Sequence, residues 1–172
     1  MNALRLTPLA FSLFALSLHS HAAEDFSNLL SQGKASLDAR YRYEYVDQDN
    51  LLNNANAQTL RTRLGFQSGK FHGLSALVEA DNVSRIGDAA YNSTRNGQSQ
   101  YSVVADPDGT EMNQALLRYD HTLGNLIGGR QRINLDNQRF IGSVAWRQNE
   151  QTFDGALGQL KPIENLTLTY AY

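Results

Sequence analysis

The chain has 172 residues, enough for one domain with a core of its own. A formal net charge of −2 carries no basic excess to draw a nucleic acid, and the absence of cysteine removes disulfides, thiolate metal sites and a lipid-anchor cysteine. Mean hydropathy of −0.44 is low for a bundle of membrane helices. It does not exclude a membrane barrel, because half of each spanning strand is polar.

Residues Met1 to Ala22 read as a signal peptide. Arg5 supplies the positive start, Leu6 to Leu18 the apolar stretch, and Ser20 and Ala22 the small residues that a peptidase inspects, which predicts cleavage before Ala23. A bilayer-crossing helix needs about 20 apolar residues, so this run is too short to anchor the chain. Residues 23–33 are then a polar periplasmic lead-in, and 34–172 the body of the protein.

From Lys34 to Asp47 the residues alternate. Ala35, Leu37, Ala39, Tyr41, Tyr43 and Tyr45 fall on one face, and Lys34, Ser36, Asp38, Arg40, Arg42 and Glu44 on the other. Side chains of a strand point to opposite sides in turn, so this is a strand with an oily face and a charged one. A polar linker from Gln48 to Gln58 leads to a second strand, Thr59 to Ser68, with Leu60, Thr62, Leu64 and Phe66 opposite Arg61, Arg63, Gly65 and Gln67. Gly69 to Gly73 is a tight turn. A third strand, Leu74 to Asp81, sets Ala76, Val78 and Ala80 against Ser75, Glu79 and Asp81, with Leu77 breaking the polar face.

Asn82 to Thr110 is a long polar loop with a turn signal at Asp106-Pro107-Asp108-Gly109. The fourth strand, Glu111 to His121, places Ala115, Leu117 and Tyr119 opposite Gln114, Leu116, Arg118 and Asp120. After a short turn the fifth runs from Leu126 to Ile133, with Arg130 and Arg132 assigned to its polar face. Asn134 to Gln151 is a loop holding the lone Trp146; a weaker sixth strand covers Thr152 to Leu160, Lys161 to Asn165 turn the chain, and Leu166 to Tyr172 begin a seventh.

The connections alternate long and short. Outer-membrane barrels have short periplasmic turns and longer outside loops, an apolar outer band, aromatic girdles and a polar lumen. The predicted fold is therefore an all-β, transmembrane antiparallel β-barrel in the outer membrane, with Tyr41, Tyr43 and Tyr45 in the outer girdle and membrane lipid against the apolar face. Seven strands leave an odd count and open edges, which a bilayer interior does not tolerate, so the chain reads as part of a larger barrel. A complete eight-stranded barrel with one strand hidden in a loop is the alternative.

The block Gly129-Arg130-Gln131-Arg132-Ile133 through Phe140-Ile141-Gly142 and Trp146-Arg147-Gln148-Asn149-Glu150-Gln151-Thr152-Phe153-Asp154 resembles the alginate-export family of Gram-negative outer-membrane porins. Two other pieces share the likeness: Arg40 to Glu44 with Leu60 to Gly65, and Val104 to Glu111. The resemblance implies a channel for passive diffusion or export of hydrophilic, anionic solutes such as acidic saccharides. It also implies an N-terminal portion of a longer protein.

Arg40, Arg42, Arg61, Arg63, Arg118, Arg130 and Arg132 are the predicted pore-lining residues, and Arg139 and Arg147 the candidates for a constriction if the loop after the fifth strand folds inward. Guanidinium groups stay charged and match carboxylates, and rings of them select anions in pores. The competing role is mechanical, because Asp38, Glu44, Glu79, Asp81 and Asp120 share those faces and cross-strand pairs would brace the wall.

No catalytic, cofactor or metal motif is present. Asp106, Asp108 and Glu111 have calcium-like spacing without the loop consensus, and a surface turn accounts for them. His72 and His121 fall in short turns away from any ligand cluster. Asp136 and Glu150 have no fixed separation that would make a glycosidase pair. Asn82, Asn92 and Asn165 begin sequons of little weight in a bacterium. A barrel enzyme and a secreted soluble β-sandwich are the rival readings.

Overall fold

The computed structural model describes residues 27–88 and 90–172; the predicted signal peptide lies outside them. A helical turn at 27–31 precedes seven strands: β1 (Lys34–Val46), β2 (Ala55–Gln67), β3 (Leu74–Arg85), β4 (Gly109–His121), β5 (Gly124–Gln131), β6 (Phe153–Ile163) and β7 (Leu166–Ala171). Each pairs antiparallel with its sequence neighbour in one open sheet of order β1 to β7. The protein is all-β, a partial antiparallel β-barrel. A β-sandwich would need a second facing sheet, and the named strands form one. No helix among the described residues is long and apolar enough to cross a membrane.

The register aligns the two faces across the sheet. Leu37, Leu64, Ala80 and Met112 sit opposite one another along one row, and Asp38, Arg63, Asp81 and Glu111 along the next. The burial is the reverse of a soluble protein's. Leu64 is 60 % exposed and Leu117 57 %, whereas Arg63 is 8 % and Asp81 1 % exposed. Large aliphatic side chains normally go inside and charges outside. Here the oily face is bare, as the expected barrel wall requires, and the polar face is covered because a loop lies on it. Tyr41, Tyr43 and Tyr45 line the outer face toward the long-loop end; the Tyr41 hydroxyl donates to Gln58 Oε1 (2.9 Å) and the Tyr45 hydroxyl accepts from Asn54 Nδ2 (2.7 Å).

Several strands run further than their sequence pattern predicts. β3 continues through Asn82, Val83, Ser84 and Arg85, which pair with Thr59 to Thr62 of β2. β6 passes through Lys161 and Pro162 to Ile163, with a register irregularity after Leu160, so the turn into β7 is only Glu164 and Asn165. Proline has no N–H to give a ladder, and it is accommodated here at the strand end. The first two long connections also pack together. Ala55, Ala57, Tyr91 and Val104 form a small buried cluster, with bridges Asn53–Tyr101 and Asn92–Val103.

Arg130 departs from its predicted face. It pairs opposite Ala115 on β4 and Asp154 on β6, in the row that carries Leu117, Tyr119 and Leu126 outward one and two positions along. It is an outer-face residue, held by Asp154 through Nε and Nη2 at 2.8 and 2.7 Å. Gln131 and Ile133 occupy the inner face instead. The glycine-rich run before Arg130 has too few side chains to reveal its parity, and Leu126 rather than Ile127 is the residue that faces out.

Candidate functional site: the loop-filled inner wall

The inner face of β1 to β4 carries a dense ionic lattice set by strand register. Arg63 on β2 lies directly opposite Asp81 on β3 and donates to both its oxygens at 2.6 Å. Such two-pronged pairs fix both position and orientation. Gly65, the next inward position on β2, leaves room beside Glu79; a Cβ there would meet Ser36 Oγ at 2.6 Å. Glu79 approaches Arg63 Nε at 3.4 Å and also pairs with Arg132. Across from it β4 has a bulge, which turns both Asn113 and Gln114 inward. Asn113 Nδ2 donates to Glu79 Oε1 at 2.8 Å and Gln114 Nε2 at 3.4 Å.

The loop after β5 closes over this lattice. The turn is tight: Val144 takes φ +52°, a costly conformation for a β-branched residue. From there residues 145–151 lie along the wall. Gln148 is fully buried. Its Nε2 donates to the Arg40 carbonyl (3.1 Å), the Thr59 carbonyl (3.1 Å) and Thr59 Oγ1 (2.9 Å), its Oε1 accepts from Arg40 Nε (3.0 Å), and its backbone N–H donates to Asp106 Oδ1 (3.0 Å). Arg40 in return donates to the carbonyls of Ala145 and Arg147. Two residues on, Glu150 enters the lattice. It meets Arg63 Nη2 at 3.1 Å and Arg61 Nη1 at 3.5 Å, pairs with Arg132, and accepts from Asn113 Nδ2 at 3.3 Å.

The predicted site residues divide accordingly. Arg61, Arg63 and Arg132 surround Glu150. Arg42 and Arg147 share Glu44 and the buried Asp106, and their guanidinium carbons stand 4.9 and 4.1 Å from the ring of Trp146. Arg118 pairs with Asp120 at 2.7 Å nearer the short-turn end. Among the described residues Arg40 has only neutral acceptors, with no carboxylate oxygen within 4 Å. Arg139 stays on the exposed part of the loop against Phe140, likewise without a carboxylate partner among the described residues. Arg130 is on the opposite face.

Asp106 is engaged with arginines and Gln148, and no group of three His, Asp or Glu among the described residues is placed to hold a metal ion. Gln148 and Glu150 are the residues that sequence reading missed in this role. A polar loop carries no periodicity, and nothing in it marks which amide will be buried.

Tyr91 anchors the packed loops and donates a long hydrogen bond to the Asp106 carbonyl (3.4 Å). Burial, then the nearby Asp108 charge, pushes its phenol above the ordinary tyrosine range. The fold therefore favours the neutral phenol. Its contribution is complete below about pH 10 and is lost as pH rises from there through the raised folded value. Limited proteolysis of the loops is expected to quicken at strongly alkaline pH in the wild type, and Tyr91→Phe to remove that part of the pH dependence.

A family model described as alginate export matches residues 31–170, nearly all of the sheet and its loops. No curated protein matches the chain. With the match covering the wall strands and the inward loop alike, the chain belongs to the alginate export family, a family of transport proteins.

Proposed function

We propose that this chain builds the wall of an outer-membrane channel that passes hydrophilic, anionic solutes such as acidic saccharides by passive diffusion. The observation that carries this is the inversion of the sheet: exposed leucines and tyrosines on one face, and buried arginine, aspartate and glutamate on the other. A wall with lipid on one side and a wet passage on the other requires that division. Family membership supports an export channel in the outer membrane. The long-loop end then faces the cell exterior, and the short turns with His72 and His121 face the periplasm.

Most inner arginines are neutralised by carboxylates, so the wall as a whole offers little free positive field. Anion preference is assigned to those without such partners, Arg40 and Arg139. Arg139→Glu, on the exposed part of the loop, is expected to move the reversal potential in a potassium chloride gradient toward cation preference in planar bilayers. Arg130→Glu, on the lipid side, is expected to leave it unchanged. An unmoved potential in Arg139→Glu would remove that residue from the selectivity reading.

A further inference from the structure

We infer that the outer face of β4, β5 and β6 holds one phospholipid with a zwitterionic head group, its acyl chain laid in a furrow of the wall and its head group at the short-turn end. This rests on the reading of the chain as an outer-membrane wall and adds to it a bound lipid and its place.

Strand register makes the furrow. Leu117, Gly128 and Ala156 are neighbours across the three strands, and Tyr119, Leu126 and Gly158 form the next outward row. Two open cavities of about 250 and 370 Å³ follow these rows toward the short turns and share Tyr119 and Leu126. The larger one reaches His121, Leu123 and Leu160.

Gly128 and Gly158 have no internal reason to be glycine. Gly129 shows what such a reason looks like: its φ is +119°, and a Cβ there would strike the Ala115 carbonyl oxygen at 2.3 Å. Neither Gly128 nor Gly158 has a left-handed φ. A Cβ on Gly128 would meet nothing within 4 Å, and one on Gly158 only Leu126 Cδ1 at 3.8 Å. Glycine inside a strand costs stability and commonly marks a close approach from outside. The room these two leave opens on the lipid side of the wall.

The furrow's shape selects its occupant. It is narrow, it bends around Leu126, and Leu117 and Tyr170 stand as ridges beside it. The flat wall of a second barrel would rest on those ridges and leave the floor without contacts. A flexible acyl chain follows the bend and gains them.

The lower end offers charges of both signs. The Lys161 N–H donates to the Leu123 carbonyl at 2.8 Å, which sets Lys161 beside the larger cavity. Lys161 and Glu164, in the adjoining turn, are exposed and make no ion pair among the described residues. Lys70, Arg118 and Asp120 are engaged with one another. His121 Nδ1 accepts from the Leu123 N–H at 3.3 Å, which leaves Nε2 as the ring's donor. A phosphate suits Lys161 and His121, and an ammonium suits Glu164. A purely anionic head group leaves Glu164 unmatched. Because the tail exchanges one hydrocarbon setting for another, head group and shape supply the preference, and it is modest.

The test folds the full chain into phosphatidylglycerol vesicles holding a trace of phosphatidylethanolamine with a diazirine midway along one acyl chain. Phosphatidylglycerol with the same diazirine is the control. After illumination, the phosphatidylethanolamine label is expected on peptides of β4, β5 and β6 at about five times its density on the outer face of β1, β2 and β3, the scale of one charged contact at a membrane surface. The control label is expected to spread evenly. Gly158→Leu fills the furrow and is expected to abolish the enrichment; Gly128→Leu is the second variant should the first fail to give a heat-modifiable band. Even labelling by phosphatidylethanolamine, equal enrichment of both probes, enrichment that survives both substitutions, or chain-to-chain cross-links at these peptides overturns the inference and leaves the membrane wall standing. No label on the outer face of any strand removes the membrane wall and the lipid site together.

Discussion

Leu64→Arg is expected to destabilise the assembled barrel in lipid by about 2–4 kcal/mol, the cost of a cation facing hydrocarbon near the midplane. Leu64 sits in the middle of β2, exposed, between Leu37 on β1 and Ala80 on β3. In a water-soluble sheet the same change at so exposed a position would be nearly silent. The measurement is urea unfolding into phospholipid vesicles, read by tryptophan emission and by the heat-modifiable band on gels. A variant as stable as the wild type in lipid would mean that the oily face does not meet acyl chains, and the channel reading would go with it. The neighbouring inward position gives the contrast: Leu64 and Arg63 differ by one residue, and one-residue parity decides which solvent each meets.

The second large effect is expected at Asp81→Asn. Asp81 is almost fully buried and holds Arg63 in a two-pronged pair, so removing its charge leaves a guanidinium inside the lattice with its strongest partner gone. Breaking a buried pair from one side costs about 3–5 kcal/mol. Glu79 and Glu150 remain at 3.4 and 3.1 Å from Arg63 and recover part of that, which places the expected loss at the lower end. Asp154→Asn severs a pair of equal geometry at the long-loop rim of the outer face, where β5 ends and β6 begins, away from the midplane position of Leu64, and there no comparable loss is expected. Unfolding midpoints of the two variants, measured side by side, check the difference. Equal losses would show that the inner lattice is as solvent-screened as the outer pair and is not a brace.

These two predictions also explain why the arginines resist a single role. The lattice residues Arg61, Arg63 and Arg132 pair with carboxylates of the wall and the loop, whereas Arg40 and Arg139 make no direct carboxylate pair among the described residues. In the channel reading proposed above, selectivity and scaffolding divide residue by residue, along the line between paired and unpaired guanidiniums.

Much of this was legible before any fold was known. The alternation from Ala35 to Tyr45, and again from Leu60 to Phe66, specifies strands with one oily face, because a period of two has no other home. The long and short connections place both loop ends, and the block from Gly129 to Asp154 carries the family likeness. The limits of β3 and β6 were hidden by asparagine, serine and proline, residues that loops use as readily as strand ends. The face of Arg130 was hidden by Gly128 and Gly129, which have no side chains to declare a parity.

What only tertiary structure decided is where the loop after β5 goes. Its descent onto the wall depends on Gln148 finding Arg40, about a hundred residues earlier in the chain, together with Thr59, and on Glu150 finding guanidiniums from β2. Periodicity is a local property, imposed on each segment by the solvent that each face must meet, so it is written in neighbouring residues. A polar contact between distant segments leaves no such local trace. It exists only once the strands are in register and the buried groups must find partners, and that requirement brings Glu150 to the arginines.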